Sequence, residues 1–533
     1  MVSVAATAAD GSLRDATMTL DNRERRARGL GRRAVLRILG AMGGALTSAP
    51  SHGKTEGQSG AEDRVWTRFF NTHELFGFVG RHSVRVGEAL PIMLSRKPGA
   101  APLEGMLRFY RIGAYPFGRK LAWASPVGSV RAYPVLRSAA AVGVAWPAFV
   151  MADTSAWEPG CYTADFHAVG RDEPYYDLVQ AIVRPPKPRG DMLLKLSTNT
   201  WQAYNPWGGH SLYPDGDDPD ADERGALVSF DRPTPAAFFE YEGFLVRWLE
   251  EVAGQAGFSV DYAANFDVHN DPGLLDLYKL VACGSHDEYW SSEEFDAFQK
   301  RIFELGKHTI FFGANTAYWQ VRYTDLNKPT AGPSCGRQML CWKGLDDPVV
   351  TRSPGRAALL EATARYREGG RRPETMLLGV GYQSWFQGLP DGSPRYAYRV
   401  ERADLPLFTD TGLKVGDELA AVVGYEWDCR DPEQDGRRLW REGAAIAELP
   451  QDRIQVLFSG NPLDRRGRVG IAEAVYFESP AGARVFSAGS IRWAWGLGRA
   501  GFETPGFKRF NQNLVVQFLN SAASTRGVTE PVQ

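Results

Sequence analysis

The densest run of reactive side chains lies between Leu280 and Ser292 (LVACGSHDEYWSS). An apolar strand ends there and the chain turns at Gly284. Ser285, His286, Asp287, Glu288, Tyr289 and Trp290 then follow before a helix begins, and open α/β sheets put their chemistry at such carboxyl ends of strands. His286 and Glu288 are candidates for moving protons or holding a metal. With no His cluster or thiolate set beside them, zinc of the usual His/Cys type is disfavoured, whereas an oxygen-rich site with tyrosinate favours ferric iron. As a bare pattern, His-x-Glu at a strand end also fits a hydrogen-bonded turn. Cys283 occupies the place of a nucleophile elbow, but Val281 stands where the elbow needs glycine, so a buried, inert thiol is the competing reading.

A second strand, 309–312 (TIFF), runs into Gly313-Ala314-Asn315-Thr316, so two successive strand ends deliver His286, Glu288 and Asn315 to one rim. A third, 192–196 (MLLKL), enters the loop 198–209, rich in Trp, Asn and Gly. Its Asn199, Trp201, Tyr204 and Trp207 suit either stacking of a planar or sugar ligand or plugging of the sheet's upper edge. No dinucleotide fingerprint follows a strand and no Walker-type lysine is present.

The elements that must carry these groups follow from periodicity. Ser291 or Ser292 supplies an N-cap, Glu294 completes a capping box, Phe295, Phe298, Ile302 and Leu305 recur at helical spacing, and Gly306 is the stop. A helical pattern over 238–252 and a strand at 258–262 precede the central stretch; a strand at 483–490 and a helix at 511–520 close the chain. Strands alternating with helices predict a doubly wound, mostly parallel sheet over 190–525. Between Asn315 and about Gly443 the alternation weakens, which reads as insertions over the active face. From 61 to 186, short alternating runs such as 83–88, 106–113 and 160–166 predict an immunoglobulin-like β-sandwich. Pro185-Pro186-Lys187-Pro188-Arg189-Gly190 separates the two as a stiff connector.

Residues 1–60 read as a leader. Arg32 and Arg33 precede a modest Gly/Ala-rich apolar run and small residues at Thr47-Ser48-Ala49, a pattern resembling a twin-arginine export signal; a basic arm or transit peptide is the alternative. Export implies a periplasmic or secreted protein. Lys+Arg 61 against Asp+Glu 63 gives a net charge of −2 over 533 residues, leaving no electrostatic footprint for nucleic acid or an anionic membrane. No apolar run approaches the roughly 20 residues of a membrane span. Five cysteines without CxxC spacing make a poor disulfide framework, with Cys335 and Cys341 the one pairing to consider.

Compound motifs carry more than these single patterns. Residues 199–209 (NTWQAYNPWGG), 285–291 (SHDEYWS), 313–319 (GANTAYW), 423–428 (VGYEWD) and 486–497 (FSAGSIRWAWGL), with Tyr110-Arg111-Ile112-Gly113 and Trp157-x-Pro159-Gly160-x-Tyr162, resemble the large (beta) subunit of N,N-dimethylformamidase and its relatives over about residues 65–520. The resemblance implies a catalytic part similar in fold to class I glutamine amidotransferases, and a mononuclear ferric iron held by two tyrosinates and one glutamate. Carried over by motif, the glutamate is Glu288, with His286 beside it, and one tyrosine is Tyr204. The second is Tyr162, by its position after Pro159-Gly160, with Tyr289 as its rival. Asn315 matches a pocket asparagine and Arg337 a further polar lining residue.

Two functions follow as expectations. One is an iron-dependent amidohydrolase acting on the C–N bond of a small amide, with metal-activated water as nucleophile, His286 passing a proton to the leaving amine, Asn315 binding the oxyanion, and Asn199, Trp201 and Trp207 lining the substrate pocket. A small second subunit or a homo-oligomer is the partner expected. The other is a non-catalytic extracytoplasmic protein that binds a glycan or polymer through the aromatic loop Trp201 to Trp207.

Overall fold

The computed structural model describes residues 73–136, 138–213, 225–234, 241–324, 336–368, 372–386, 395–419, 421–430 and 453–521. They belong to one compact unit. The leader with Arg32 and Arg33, Cys335 and the start of the helical pattern at Phe238 lie outside the described residues.

Short alternating runs form the N-terminal strands. They are β1 (Leu75–Val79), β2 (Val84–Arg85), β3 (Ala89–Arg96), β4 (Leu103–Ile112), β5 (Arg119–Val130), β6 (Val150–Asp153), β7 (Gly160–Ala168) and β8 (Tyr175–Arg184). Among the described residues they make one sheet in the order β1-β3-β6 and a second in the order β2-β8-β7-β4-β5. The inward residues of both, including Ile92, Leu94, Phe109, Tyr162, Phe166 and Val183, pack into one shared core.

The C-terminal part contains β9 (Met192–Leu196), β10 (Leu227–Ser229), β11 (Val260–Ala264), β12 (Leu280–Cys283), β13 (Tyr289–Ser291), β14 (His308–Phe311), β15 (Trp319–Thr324), β16 (Gln338–Leu340), β17 (Gly381–Trp385), β18 (Arg399–Val400), β19 (Glu426–Cys429), β20 (Gln455–Gly460), β21 (Ala472–Glu478) and β22 (Arg484–Ser487). Its main helices are α1 (Thr198–Ala203), α2 (Glu242–Ala256), α3 (Asn265–Asn270), α4 (Ser292–Phe303) and α5 (Pro505–Asn520). The main sheet runs β11-β9-β12-β14-β22-β21-β20-β18. Its first five strands are parallel, and the last three are antiparallel.

Both faces of the parallel strands are covered, which is why their sequences are almost continuously apolar. Leu194, Tyr262, Ala282 and Ile310 point to the side packed by α2 and α5, through Leu245, Leu249, Phe510 and Leu514. Leu193, Ala263, Val281 and Phe311 point to the side packed by α4, through Phe295, Phe298 and Ile302. The period-2 alternation of each strand thus feeds two separate cores. Helix α4 begins as its spacing predicts: Ser291 Oγ accepts from Glu294 N at 3.3 Å while Glu294 Oε2 accepts from Ser291 N at 3.0 Å. It ends short of Leu305, and Gly306 turns the chain at φ 62°. Among the described residues no helix is long and apolar enough to cross a membrane.

Candidate functional site

The carboxyl ends of β9, β12 and β14 converge, and each is followed by a polar turn. Gly284 lets the turn after β12 pass close to α2, since a Cβ there would lie 3.0 Å from Glu242 Oε1. Gly313 does the same between the turns after β12 and β14, where a Cβ would stand 1.8 Å from the Ser285 carbonyl oxygen. His286 and Asn315 are brought together by that close approach.

Three oxygen-bearing side chains meet at the rim. Tyr204, which caps α1, donates to Glu288 Oε2 at 2.9 Å, and Tyr213 donates to Glu288 Oε1 at 2.7 Å. The two phenol oxygens are 3.0 Å apart and their rings stack at 4.4 Å. Tyr289 reaches the same cluster from β13, donating to the Tyr213 hydroxyl at 2.7 Å. The ammonium of Lys343 lies 3.1 Å from the Tyr213 ring centre. Tyr204 is 37% exposed, so the cluster meets solvent on its side, while Glu288 is buried.

On the inner side His286 Nε2 lies 3.3 Å from Glu288 Oε2 and 3.3 Å from Glu426 Oε2. Glu426 arrives on β19, within the stretch read as insertions over the active face and inside the motif 423–428. Strand periodicity aims Glu426 and Asp428 the same way. Together they grip Asn315, whose Nδ2 donates to Glu426 Oε2 at 2.9 Å and whose backbone N–H donates to Asp428 Oδ1 at 2.8 Å. That double hold sustains a left-handed backbone at Asn315, φ 54°.

The electrostatics follow from burial and pairing. Burial opposes a charged His286, but its bonds to Glu288 and Glu426 prevail and push it up to about 10. Burial also works against an ionised Glu288, yet His286 and then Lys343 hold it below the usual carboxylate range. Burial, reinforced by the Glu288 charge, holds the phenols of Tyr204, Tyr213 and Tyr289 well above the usual tyrosine range. The protein therefore presents a proton-rich cluster in which Glu288 accepts from two phenols.

Several residues expected at the site lie elsewhere. Tyr162 faces the N-terminal core, its ring tilted against Trp157 at 4.7 Å and its hydroxyl donating to the Glu158 carbonyl at 2.5 Å, so it does not approach Glu288. Tyr213, nine residues after Tyr204 in the same loop, stands beside Glu288 where Tyr162 was expected, and the rival Tyr289 joins it through the Tyr213 hydroxyl. Arg337 donates to Asp231 Oδ1 at 2.9 Å and to the Val79 and Phe230 carbonyls, which ties the Phe230 strand end to β1 rather than lining the site. Trp207 is buried against Phe76 and Trp146 of the N-terminal part. Asn199 is buried and spends its amide on the Tyr289 carbonyl and the Tyr323 hydroxyl, so it braces Tyr289 and does not face a ligand. Trp201 packs partly buried on the core beneath α1. The Asn315 amide is turned to Glu426 and holds that carboxylate, in place of the expected oxyanion contact. Cys283 is fully buried, which pushes its thiol well above the usual range and fits the inert reading.

The donor set can be tested against a metal. The two phenol oxygens, 3.0 Å apart, each meet a different oxygen of the Glu288 carboxylate, at 2.9 and 2.7 Å, a spacing that suits neighbouring ligands each about 2 Å from one ion. Among the described residues no group of three or more His, Cys, Asp or Glu side chains gathers at metal-binding range. Tyr204, Tyr213 and Glu288 fit a hard trivalent cation better than zinc.

The family described as N,N-dimethylformamidase beta subunit-like, C-terminal, matches residues 106–507. The chain belongs to this family. An N,N-dimethylformamidase beta subunit from Alcaligenes sp is 25% identical in an alignment of 314 positions that covers 53% of this chain and 37% of that protein. The match thus spans little more than a third of the relative's length. The matched family region runs from β4 through the start of α5 and contains every member of the phenol–carboxylate cluster.

Proposed function

We propose that the chain is an iron-dependent hydrolase of a small amide. The observation that carries the proposal is the convergence of the Tyr204, Tyr213 and Glu288 oxygens beside the His286–Glu426 pair, in a chain of the dimethylformamidase beta subunit-like family. In this reading Tyr204, Tyr213 and Glu288 hold a single ferric ion, which when bound supplies Lewis-acid polarisation of the substrate carbonyl. Glu426, oriented by Asn315, takes a proton from the attacking water as its oxygen bonds to the carbonyl carbon. The C–N bond then breaks, and His286, placed beside Glu426, gives a proton to the departing nitrogen. One water is consumed, and a carboxylic acid and an amine leave; proton return from Glu426 to His286 over 3.3 Å resets the pair. The five parallel strands with helices on both faces support an amidotransferase-like scaffold, and the two N-terminal sheets sharing one core support an immunoglobulin-like sandwich.

The test is iron content and turnover on one preparation. Near-stoichiometric ferric iron, with hydrolysis of one or more members of a panel of small N-alkyl amides, is expected. Protein that takes up no iron, or iron-loaded protein inert across the panel, would overturn the reading. Glycan binding by the aromatic loop finds no support, because Trp207 is buried and Trp201 packs on the core. For location we propose twin-arginine export, which a joint Arg32→Lys, Arg33→Lys change should abolish.

A further inference from the structure

The turn that carries His286 and Glu288 is anchored from beneath by a buried ionic cluster that touches none of the reacting groups. Lys195, the penultimate residue of apolar β9, is completely buried, with its Nζ 2.7 Å from Asp287 Oδ2 and 2.9 Å from Glu294 Oε1. Its ammonium also sits 3.8 Å over the Trp290 ring. Asn265, at the start of α3, donates from Nδ2 to both Asp287 Oδ1 and Glu294 Oε1 at 3.0 Å. Its own Oδ1 accepts from the Asn199 N–H at 3.0 Å and the Thr198 hydroxyl at 3.1 Å. The other oxygen of Glu294 is spent on Ser291 N, in the cap of α4.

Three charges are thus sealed away from water in an otherwise apolar layer. Such a cluster is a poor source of stability, since well-packed apolar side chains of the same volume usually do as well or better. What it does provide is direction: Asp287 is held on both oxygens, and the residues on either side of it are His286 and Glu288. The same cluster reaches α1 through Thr198 and Asn199, and Thr200 of α1 accepts from Glu288 N at 3.0 Å. Tyr204 caps that helix.

We propose that Lys195, Asn265 and Asp287 are positioning residues, which fix the separation of Glu288 from Tyr204 and of His286 from Glu426 and so preorganise the ligand set. Its consequence for iron rests on the metal reading of the site; the anchoring itself does not. An anchored turn keeps the ligand oxygens at chelating distance before the ion arrives, so the ordering cost is met during folding.

The experiment uses Asp287→Ala, which removes the tether and leaves Lys195 and Glu294 as a neutral pair. Two readouts are taken: amide hydrogen exchange of metal-free protein, and ferric affinity by chelator competition. Exchange over 284–290 should quicken at least about tenfold while β9 and β14 stay protected. Ferric affinity should fall about 10- to 100-fold, with a weakened phenolate-to-iron absorption band. Arg111→Leu, which breaks a buried pair far from the turn, should leave affinity unchanged. Unaltered exchange over 284–290 would overturn the proposal, as would an equal loss of affinity in Arg111→Leu. Should Asp287→Ala not fold, the isosteric Asp287→Asn carries the same readouts, with a smaller change expected in the same direction. Wild-type protein that binds no ferric ion would defeat the metal reading, and the exchange data alone would then decide the anchoring.

Discussion

Single side chains separate the two tyrosine assignments. Tyr213→Phe removes one of the two phenol oxygens bonded to Glu288, so ferric affinity should drop by more than the roughly 10- to 100-fold typical of an outer-shell change, and the visible absorption of the iron-loaded protein should weaken with it. Tyr162→Phe should leave both untouched, costing about 1 kcal/mol of stability for the lost bond to the Glu158 carbonyl, measurable by denaturant unfolding. Glu426 is distinguished from Glu288 by what it touches. It meets His286 and Asn315 but neither phenol among its hydrogen-bond partners, so Glu426→Gln should retain iron while hydrolysis falls by about 10²- to 10⁴-fold. If Glu426→Gln instead released iron, it would be a ligand and the proton relay would need another base.

At the scale of elements, two features of β14 can be probed. The turn that follows it depends on Gly313: a methyl group there would meet the Ser285 carbonyl, a backbone atom that can yield only by moving the His286 turn. Gly313→Ala should therefore cost at least about 1–3 kcal/mol, read as a lower melting temperature, and should reduce activity beyond its effect on stability. At the strand's start, His308 is buried between β22 and the end of α5. Its Nδ1 accepts from Arg484 N at 2.9 Å, which leaves Nε2 to donate to Ser521 Oγ at 2.8 Å. Burial holds this imidazole down to about 4, below its unfolded value near 6.5. Above pH 6.5 both states are neutral and the native arrangement is fully favoured. As pH falls from 6.5 through 4 the unfolded chain takes up the proton first, so stability is lost across that window, on the order of 3 kcal/mol by linkage. A His308→Gln variant should show a flatter pH–stability curve between 6.5 and 4 than wild type.

Across the whole described unit, the N-terminal sheets and the main α/β layer are joined by backbone bonds, from Ala140 N to the Gly208 carbonyl and from Val144 N to the Asp231 carbonyl, and by side chains. Arg111 of β4 forms a two-pronged pair with Glu250 of α2, at 2.8 and 3.1 Å, and Tyr262 of β11 donates to the same carboxylate at 2.6 Å. Arg184 meets Asp267 at 2.7 Å, and Trp207 packs on Phe76 and Trp146. Since Tyr162 takes no part in the site, iron removal should leave this docking intact. Arg111→Leu, by contrast, strands a largely buried carboxylate and should destabilise the protein by about 3 kcal/mol in chemical unfolding, with iron content unaltered.

How much of this was legible in the sequence depends on the range of the interaction. Strand and helix identity in β9, β12, α4 and β14 rests on local periodicity and caps, and the residues gathered after β12 and β14, His286, Glu288 and Asn315, follow from strand ends in one parallel sheet. The start of α5 was also written locally, in Thr504-Pro505, whose hydroxyl caps Phe507 N, although the apolar pattern suggested a start only at Asn511. Tyr213 had no such local mark, since it follows an irregular loop, and Glu426 lay in the motif 423–428 (VGYEWD) without any sign of which site it serves. Only tertiary structure brings Glu426 to His286, since β19 is bound beside β22 through Asp428 N and the Gly489 carbonyl, more than a hundred residues from the turn it serves. The same holds for Tyr162, whose motif neighbours Pro159 and Gly160 locate it on β7 but cannot say which face of that strand it occupies. Packing decided that: the ring lies tilted against Trp157 within the N-terminal core, where burial of a large aromatic ring is favourable.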